Sequence, residues 1–335
     1  MTKKETITIL EIAKMSGVNP STVSRVINHP EMVNEKTRER VLGFIKECNY
    51  QPNPFARGLQ TKKSKIVALV VPNFTTLSFA NLARGIQEKL MQKDYSMVIF
   101  SSHEDELLEK KICKKISELH IDGVIFASSM MPKYEELPNG IAKVFIDRDG
   151  SKDGIDTFIL DIEGAFDKLI KYLVAKGHTK IGFVAGDKGS YAGLKKVSAF
   201  RKSLNKRGLT VDEDMIVDAF WSSKEGWLAT KKLLEKGKKP TAIVAGSDTL
   251  AVGVIGAISS LGIKVPEDIS VIGFNNEPGS ESLNPPLTTM EYDDYGMGQE
   301  VAEAVMDRIN NPEQENIIKT YTMNIIERKT VTNLN

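Results

Sequence analysis

The chain has few cysteines and no long apolar run, and each shortage excludes something. It carries two cysteines in 335 residues, Cys48 and Cys113, far apart and without a CxxC partner. That excludes a disulfide framework and reads as reduced thiols in a cytoplasmic protein. The longest apolar runs, such as "IVALVV" and "MVIF", are too short to span a bilayer. The opening "MTKKETITIL" lacks the apolar core and small-residue cleavage site of a signal peptide, so no membrane is expected. Enzyme motifs are missing too: no GxxxxGK[ST], HExxH or GxSxG, and no Cys/His cluster. The glycines of "GFVAGDKG" follow a strand but not at dinucleotide-binding spacing. No enzymatic activity, cofactor or metal is therefore expected.

Net charge is only +1, but its distribution is uneven. Residues 1–65 hold 12 Lys/Arg against 6 Asp/Glu, hence +6, and the remainder holds 33 against 38, hence −5. A basic head on a mildly acidic body is the footprint expected when the head binds nucleic acid. The length suits two or three domains.

The head reads as three helices. Thr8 stands three residues before Glu11, a capping box that starts a helix. Leu10, Ile12, Ala13 and Met15 are expected on its apolar side, and Gly17 stops it. Asn19 then caps a second helix with Pro20 at its first position. Val23, Val26 and Ile27 face the first helix, which leaves Ser21, Thr22, Ser24, Arg25 and Asn28 outside. Asn34 caps a third helix with Val41, Phe44, Ile45 and Cys48 on one face. This is a helix-turn-helix pattern, and the same spacing also suits a small bundle with a solvated face. As a DNA reader, Arg25 and Ser21 would meet base edges while Thr22, Ser24 and Asn28 would hold the backbone. Beyond it, Pro52 and Pro54 interrupt the chain, and "PFARGLQ" could form about two turns capped by Asn53. Gly58 weakens such a helix by roughly 1 kcal/mol.

From residue 65 strand-like runs ("KIVALVV", "SMVIFSS", "DGVIFAS", "AKVFID", "KIGFVAG", "TAIVAGSD", "ISVIGFNN") alternate with amphipathic stretches. Continuous apolar strands between helices imply parallel sheets covered on both faces, and their number suits two sheets. Ligands in such folds sit at the carboxyl ends of strands.

"ITILEIAKMSGVNPSTVSRVIN", "YQPNPFARGL" and "SKIVALVVPN" resemble the LacI/GalR family of bacterial transcription regulators, and "GHTKIGFVAG", "GSDTLAVGVIGAISSLGIKVPEDISVIGFNN" and "PPLTTMEYD" extend the resemblance over essentially the whole chain. It implies a small all-α helix-turn-helix domain (1–49), a hinge helix and linker (50–64), and an α/β body of two subdomains like periplasmic sugar-binding proteins. The first would take residues 65–163 and 291–322, the second 164–290 and 323–335. It implies a homodimer on double-stranded, pseudo-palindromic operator DNA, with Leu59 wedging into the minor groove beside Ala56. Repression controlled by a small polar effector, a sugar in the first instance, would follow. The end at "VTNLN" lacks the apolar heptad helix that makes some relatives tetramers.

Strand ends and the resemblance together nominate Phe79, Asp147, Arg148, Lys196, Trp221, Asp248 and Asn275 as effector contacts. Lys196 stands where many members carry Arg, and Asn275 where many carry Asp. Trp221 would stack on a sugar ring, though it also suits a core position, and Asp248 suits a helix cap equally well. His178 reads as a structural turn residue. Two runner-up readings stand beside this one: a catabolite-control regulator driven by a phosphorylated carrier protein, and a cytosolic sugar-binding module with an idle head.

Overall fold

The computed structural model describes residues 7–50, 63–74, 76–127, 140–148, 150, 153–237 and 239–335. The chain divides into a head, residues 1–64, and a body, residues 65–335.

The head holds α1 (Ile9–Ser16), α2 (Pro20–Asn28) and α3 (Glu35–Glu47). Thr8 caps α1 reciprocally: its hydroxyl accepts from the Glu11 N–H, and its own N–H donates to the Glu11 carboxylate at 2.7 Å. Gly17 ends α1 with φ 59°, a left-handed conformation that costs glycine little. Asn19 precedes α2 without a side-chain cap, whereas Asn34 caps α3 by accepting from Thr37 N at 2.9 Å. Ile12, Ala13, Val23, Val26 and Val41 form the buried core, with Phe44, Ile45 and Cys48 packed against it. The apolar side expected of α1 needs correction. Leu10 and Met15 are 65% and 46% exposed. Ile9 packs on the core instead, and Ser16 is buried with its hydroxyl donating to the Ile12 carbonyl. The expected hinge helix, with Asn53, Ala56 and Leu59, lies outside the described residues.

In the body, one sheet has six parallel strands in the order β11-β5-β4-β3-β1-β2. They are β1 (Ile66–Val71), β2 (Ser96–Ser101), β3 (Gly123–Phe126), β4 (Ala142–Ile146), β5 (Asp156–Leu160) and β11 (Ile318–Tyr321). Alternation along the strands supplies both faces. Val67, Leu69, Ile125 and Val144 pack toward α4 (Ser78–Met91) and α10 (Asp294–Asn310). Ala68, Val70, Val124, Phe126 and Phe145 join Ile112, Cys113 and Ile116 of α5 (Glu106–Glu118). Gly85 of α4 and Gly298 of α10 let the two helices touch: a Cβ on either would collide with the backbone carbonyl of Tyr295 or Leu82.

The second sheet, all parallel, runs β7-β6-β8-β9, from β6 (Ile181–Val184), β7 (Ile216–Val217), β8 (Ala242–Ala245) and β9 (Ser270–Ile272). One face carries α6 (Ile162–Ala175) and α7 (Tyr191–Lys206), the other α8 (Ser223–Glu235) and α9 (Asp248–Ser260). Phe166, Phe183, Phe200 and Phe274 form an aromatic cluster whose ring centroids lie 4.8 to 6.4 Å apart. β10 (Thr289–Glu291) and β12 (Asn324–Ile326) pair antiparallel as a third, two-stranded sheet. His178 is fully buried, with Nδ1 3.0 Å from the Thr241 hydroxyl and Nε2 3.2 Å from the Thr332 carbonyl. A carbonyl can only accept, so Nε2 carries the proton, and burial holds the imidazole below its usual pKa.

Candidate functional site

Two places in the molecule gather polar side chains away from the demands of folding. The first is the outer face of α2. Val23 and Val26 turn inward, so Ser21, Arg25 and Asn28 are exposed and Thr22 and Ser24 half-buried. Asn28 Nδ2 donates to the Ser24 carbonyl at 3.0 Å and hydroxyl at 3.3 Å, which draws the amide along the helix. These are short hydroxyls around one long guanidinium on a convex helix.

The second is a cleft, partly open to solvent, at the carboxyl ends of both large sheets. Asn73 and Thr76 follow β1, Glu104 follows β2, Asp147 follows β4, and Ser78 and Phe79 begin α4. From the other sheet come Tyr191, Lys195 and Lys196 of α7, Trp221 after β7, and Phe274 and Asn275 after β9. A 3.4 Å bond from Asn275 Nδ2 to Ser78 Oγ joins the two sides.

Lys196 is the centre of the electrostatics. Its side chain is buried, donates to the Gly246 carbonyl at 2.7 Å, and lies 4.4 Å from the Phe274 ring centroid and 5.1 Å from that of Trp221. Burial brings its pKa down to about 8, opposed by Asp147, Glu277 and Asp248. Asp147 accepts the Leu160 N–H at 2.7 Å, and burial raises its pKa. Trp221 packs flat against Gly186, where φ is 96° and a Cβ would strike the indole.

The backbone is left-handed at His103, Glu104, Asp147, Asn275 and Asn276, with φ of 50°, 56°, 57°, 98° and 51°. Glu104, Asp147 and Asn275 among them line the cleft. Non-glycine residues held there cost about 1–3 kcal/mol each and concentrate at functional sites.

Of the seven residues nominated from sequence, Phe79, Asp147, Lys196, Trp221 and Asn275 line this cleft, while Arg148 and Asp248 do not. Arg148 points the other way, its guanidinium 5.1 Å from the Phe145 ring centroid on the α5 side of the sheet. Asp248 is not the cap of α9, which is Ser247. It is a buried first-turn residue whose carboxylate accepts from Thr289 Oγ1 at 2.6 Å and Glu277 N at 2.7 Å. Burial pushes its pKa up to about 7. It braces the loop that carries Asn275 instead of facing the cleft.

Sequence reasoning missed Glu104. Burial pushes its carboxyl up to about 7, Asp187 adds repulsion and accepts a hydrogen bond from its protonated form, and a hydrogen bond from Trp221 opposes these. Its one signal was its place just past the carboxyl end of a strand.

Residues 8–53 match the model of bacterial regulatory proteins of the lacI family, and residues 170–331 match that of the periplasmic binding protein-like domain. The transcriptional regulator DegA of Bacillus subtilis is 35% identical over 301 residues, 88% of each chain. The chain belongs to the lacI family of bacterial regulatory proteins. Other relatives agree. The transcriptional repressor PurR of Vibrio atlanticus is 29% identical, with 98% of this chain and 99% of that one covered. Catabolite control protein A of Priestia megaterium is 32% identical, with 92% and 93% covered. The Lac repressor dimer bound to operator and the anti-inducer ONPF superposes with a TM-score of 0.86 at 24% identity, covering 98% of this chain and 100% of that one. The transcriptional regulator CelR in complex with cellobiose gives 0.73 at 25% identity, covering 97% and 99%. As a lacI-family member, the protein is a DNA-binding transcriptional regulator and not an enzyme. Among the described residues no helix is long and apolar enough to cross a membrane.

Proposed function

We propose that the chain is a cytoplasmic repressor that binds a pseudo-palindromic operator as a homodimer, under the control of a small polar effector, a carbohydrate, held in the cleft. One observation carries the effector reading: aromatic faces (Phe79, Trp221, Phe274) and hydrogen-bonding groups (Asp147, Lys196, Asn275) converge on one cavity at the strand ends. Sugars present that same mixture, hydroxyls around an apolar ring face. The cellobiose held by CelR supports the class of ligand. The operator and dimer of the Lac repressor support the DNA side.

On this reading the two large sheets belong to two subdomains, 65–163 with 291–322 and 164–290 with 323–335. The return of β11 to the first sheet and the pairing of β10 with β12 support crossovers near 163, 290 and 322. Arg25 and Ser21 read bases, Thr22, Ser24 and Asn28 hold the backbone, and Asn53, Ala56 and Leu59 serve the hinge. Effector binding alters the relation between the subdomains and so biases the hinge.

The test is the thermal shift of the full chain against sugars, sugar phosphates, nucleosides and purines. A true effector at 100 times its dissociation constant adds about 2.7 kcal/mol to the body's stability. Trp221→Ala removes that gain. Silence across the panel sinks the small-effector reading.

A second reading has one observation in its favour, the likeness to a catabolite control protein. There, a phosphorylated carrier protein docks on the body, with α4 as its basic face. No binding of such a carrier at micromolar concentration removes it.

A further inference from the structure

The cleft's ionisable lining is balanced, and its balance bears on the kind of ligand it accepts. Glu104 and Asp147 contribute acid, Lys195 and Lys196 contribute base, and no arginine lines it among the described residues. Both cations have contacts in place. Lys196 Nζ donates to the Gly246 carbonyl at 2.7 Å and lies against the Trp221 and Phe274 rings. Lys195 Nζ sits 4.6 Å from the centroid of the Tyr191 ring. Phosphate recognition rests on charge-assisted bonds, most strongly on the two-pronged fork of arginine, and this lining offers no such fork.

The acids push the same way. Glu104 accepts from Trp221, and Asp187 both repels its ionised form and accepts a hydrogen bond from its protonated form. Asp147 faces the same volume from the end of β4. In a site this sheltered, charge is poorly screened, so above about pH 7, where Glu104 is ionised, a phosphate brought beside it is repelled more than it would be at the surface. Besides the two ammonium groups, the start of α4 favours an anion. Its Phe79 and Ala80 N–H groups, however, already donate to the Thr76 and Leu77 carbonyls. Hydroxyls meet no such obstacle. They donate to a carboxylate, and they also accept from a carboxyl or from the Asn275 amide.

We propose that the cleft selects an uncharged, hydroxyl-rich ligand over its phosphorylated counterpart, and that Glu104 enforces the choice. This rests on the cleft being the effector site, and the experiment separates the two claims. Full-length protein is titrated by calorimetry at about pH 8, where Glu104 is ionised, with matched pairs: glucose and glucose 6-phosphate, ribose and ribose 5-phosphate, cellobiose and its 6-phosphate. In the pair that binds, the phosphate is at least tenfold weaker. Glu104→Gln narrows that ratio several-fold, while Glu104→Asp, which keeps the charge, preserves it; unchanged far-ultraviolet circular dichroism shows that both variants fold. A phosphate that binds as tightly as its sugar, or a ratio untouched by Glu104→Gln, overturns the inference and leaves the effector site standing. No binding by either member of any pair overturns the sugar reading and the inference together.

Discussion

Arg25 and Lys196 are both cations assigned to binding, and their surroundings differ in almost every respect. Arg25 is exposed on the outer side of a nine-residue helix. Lys196 is 7% exposed, bonded to a backbone carbonyl and flanked by two aromatic rings. The head keeps its functional groups outside a small core and presents them to a partner that supplies the opposite charge. The body buries its functional groups, and each must be paired in place, because an unpaired buried charge is costly. Loss of a head residue should therefore weaken one contact, whereas loss of a buried body residue should disturb several.

The largest effect should come from a buried pair at the opposite strand end from the cleft. Asp156 is fully buried, and Arg308 holds it with two bonds of 2.8 and 3.1 Å while also donating to the carbonyls of Pro312, Gln314 and Glu315. Arg308→Ala should cost the body about 3–5 kcal/mol, read as a lower denaturant midpoint, with the head's own helicity spared.

Next comes a pH effect confined to the body. The folded pKa of Asp248, about 7, lies above its ordinary value of 3.8. The folded state therefore binds the proton more tightly, and stability falls as pH rises from about 4 to about 7. Asp248→Asn should flatten that slope in denaturant titrations between those values. An unchanged slope would show that the carboxyl is not responsible.

Arg25→Ala should cost about 1–3 kcal/mol at one base position and relax specificity there, with ligand binding in the cleft unchanged. Equal loss on all duplexes would make Arg25 a phosphate contact. The smallest expected effect is Asn34→Ala, which removes the cap of α3 and should lower head stability by about 1 kcal/mol. A fall in body stability from that change would contradict the separation of the two regions.

The same contrast explains what was legible in the sequence. In the head, periodicity and caps sufficed for the elements, because local signals decide both the helix limits and which side faces out. The exception was α1, where Leu10 and Met15 are apolar but turn outward. Strands β1, β2, β3, β4, β6, β8 and β9 coincide with apolar runs, while β7 has two residues and β11 is mostly exposed, so neither carries such a signature. Strand ends nominated the cleft, yet neighbours there point to opposite sides. Hence Asp147 lines it and Arg148, one residue later, lies on the Phe145 side. Asp248 and Glu104 show the other limit: which carboxyl faces the cleft depends on loops brought together from distant segments.

The central claim is that the cleft sets the affinity of the head for DNA. The direct measurement is the affinity of the full chain for a selected operator, with and without a saturating ligand from the panel. The account predicts a change of about 5- to 150-fold, and the same factor in ligand affinity when operator is added. Equal operator affinity with the cleft empty and filled would contradict it.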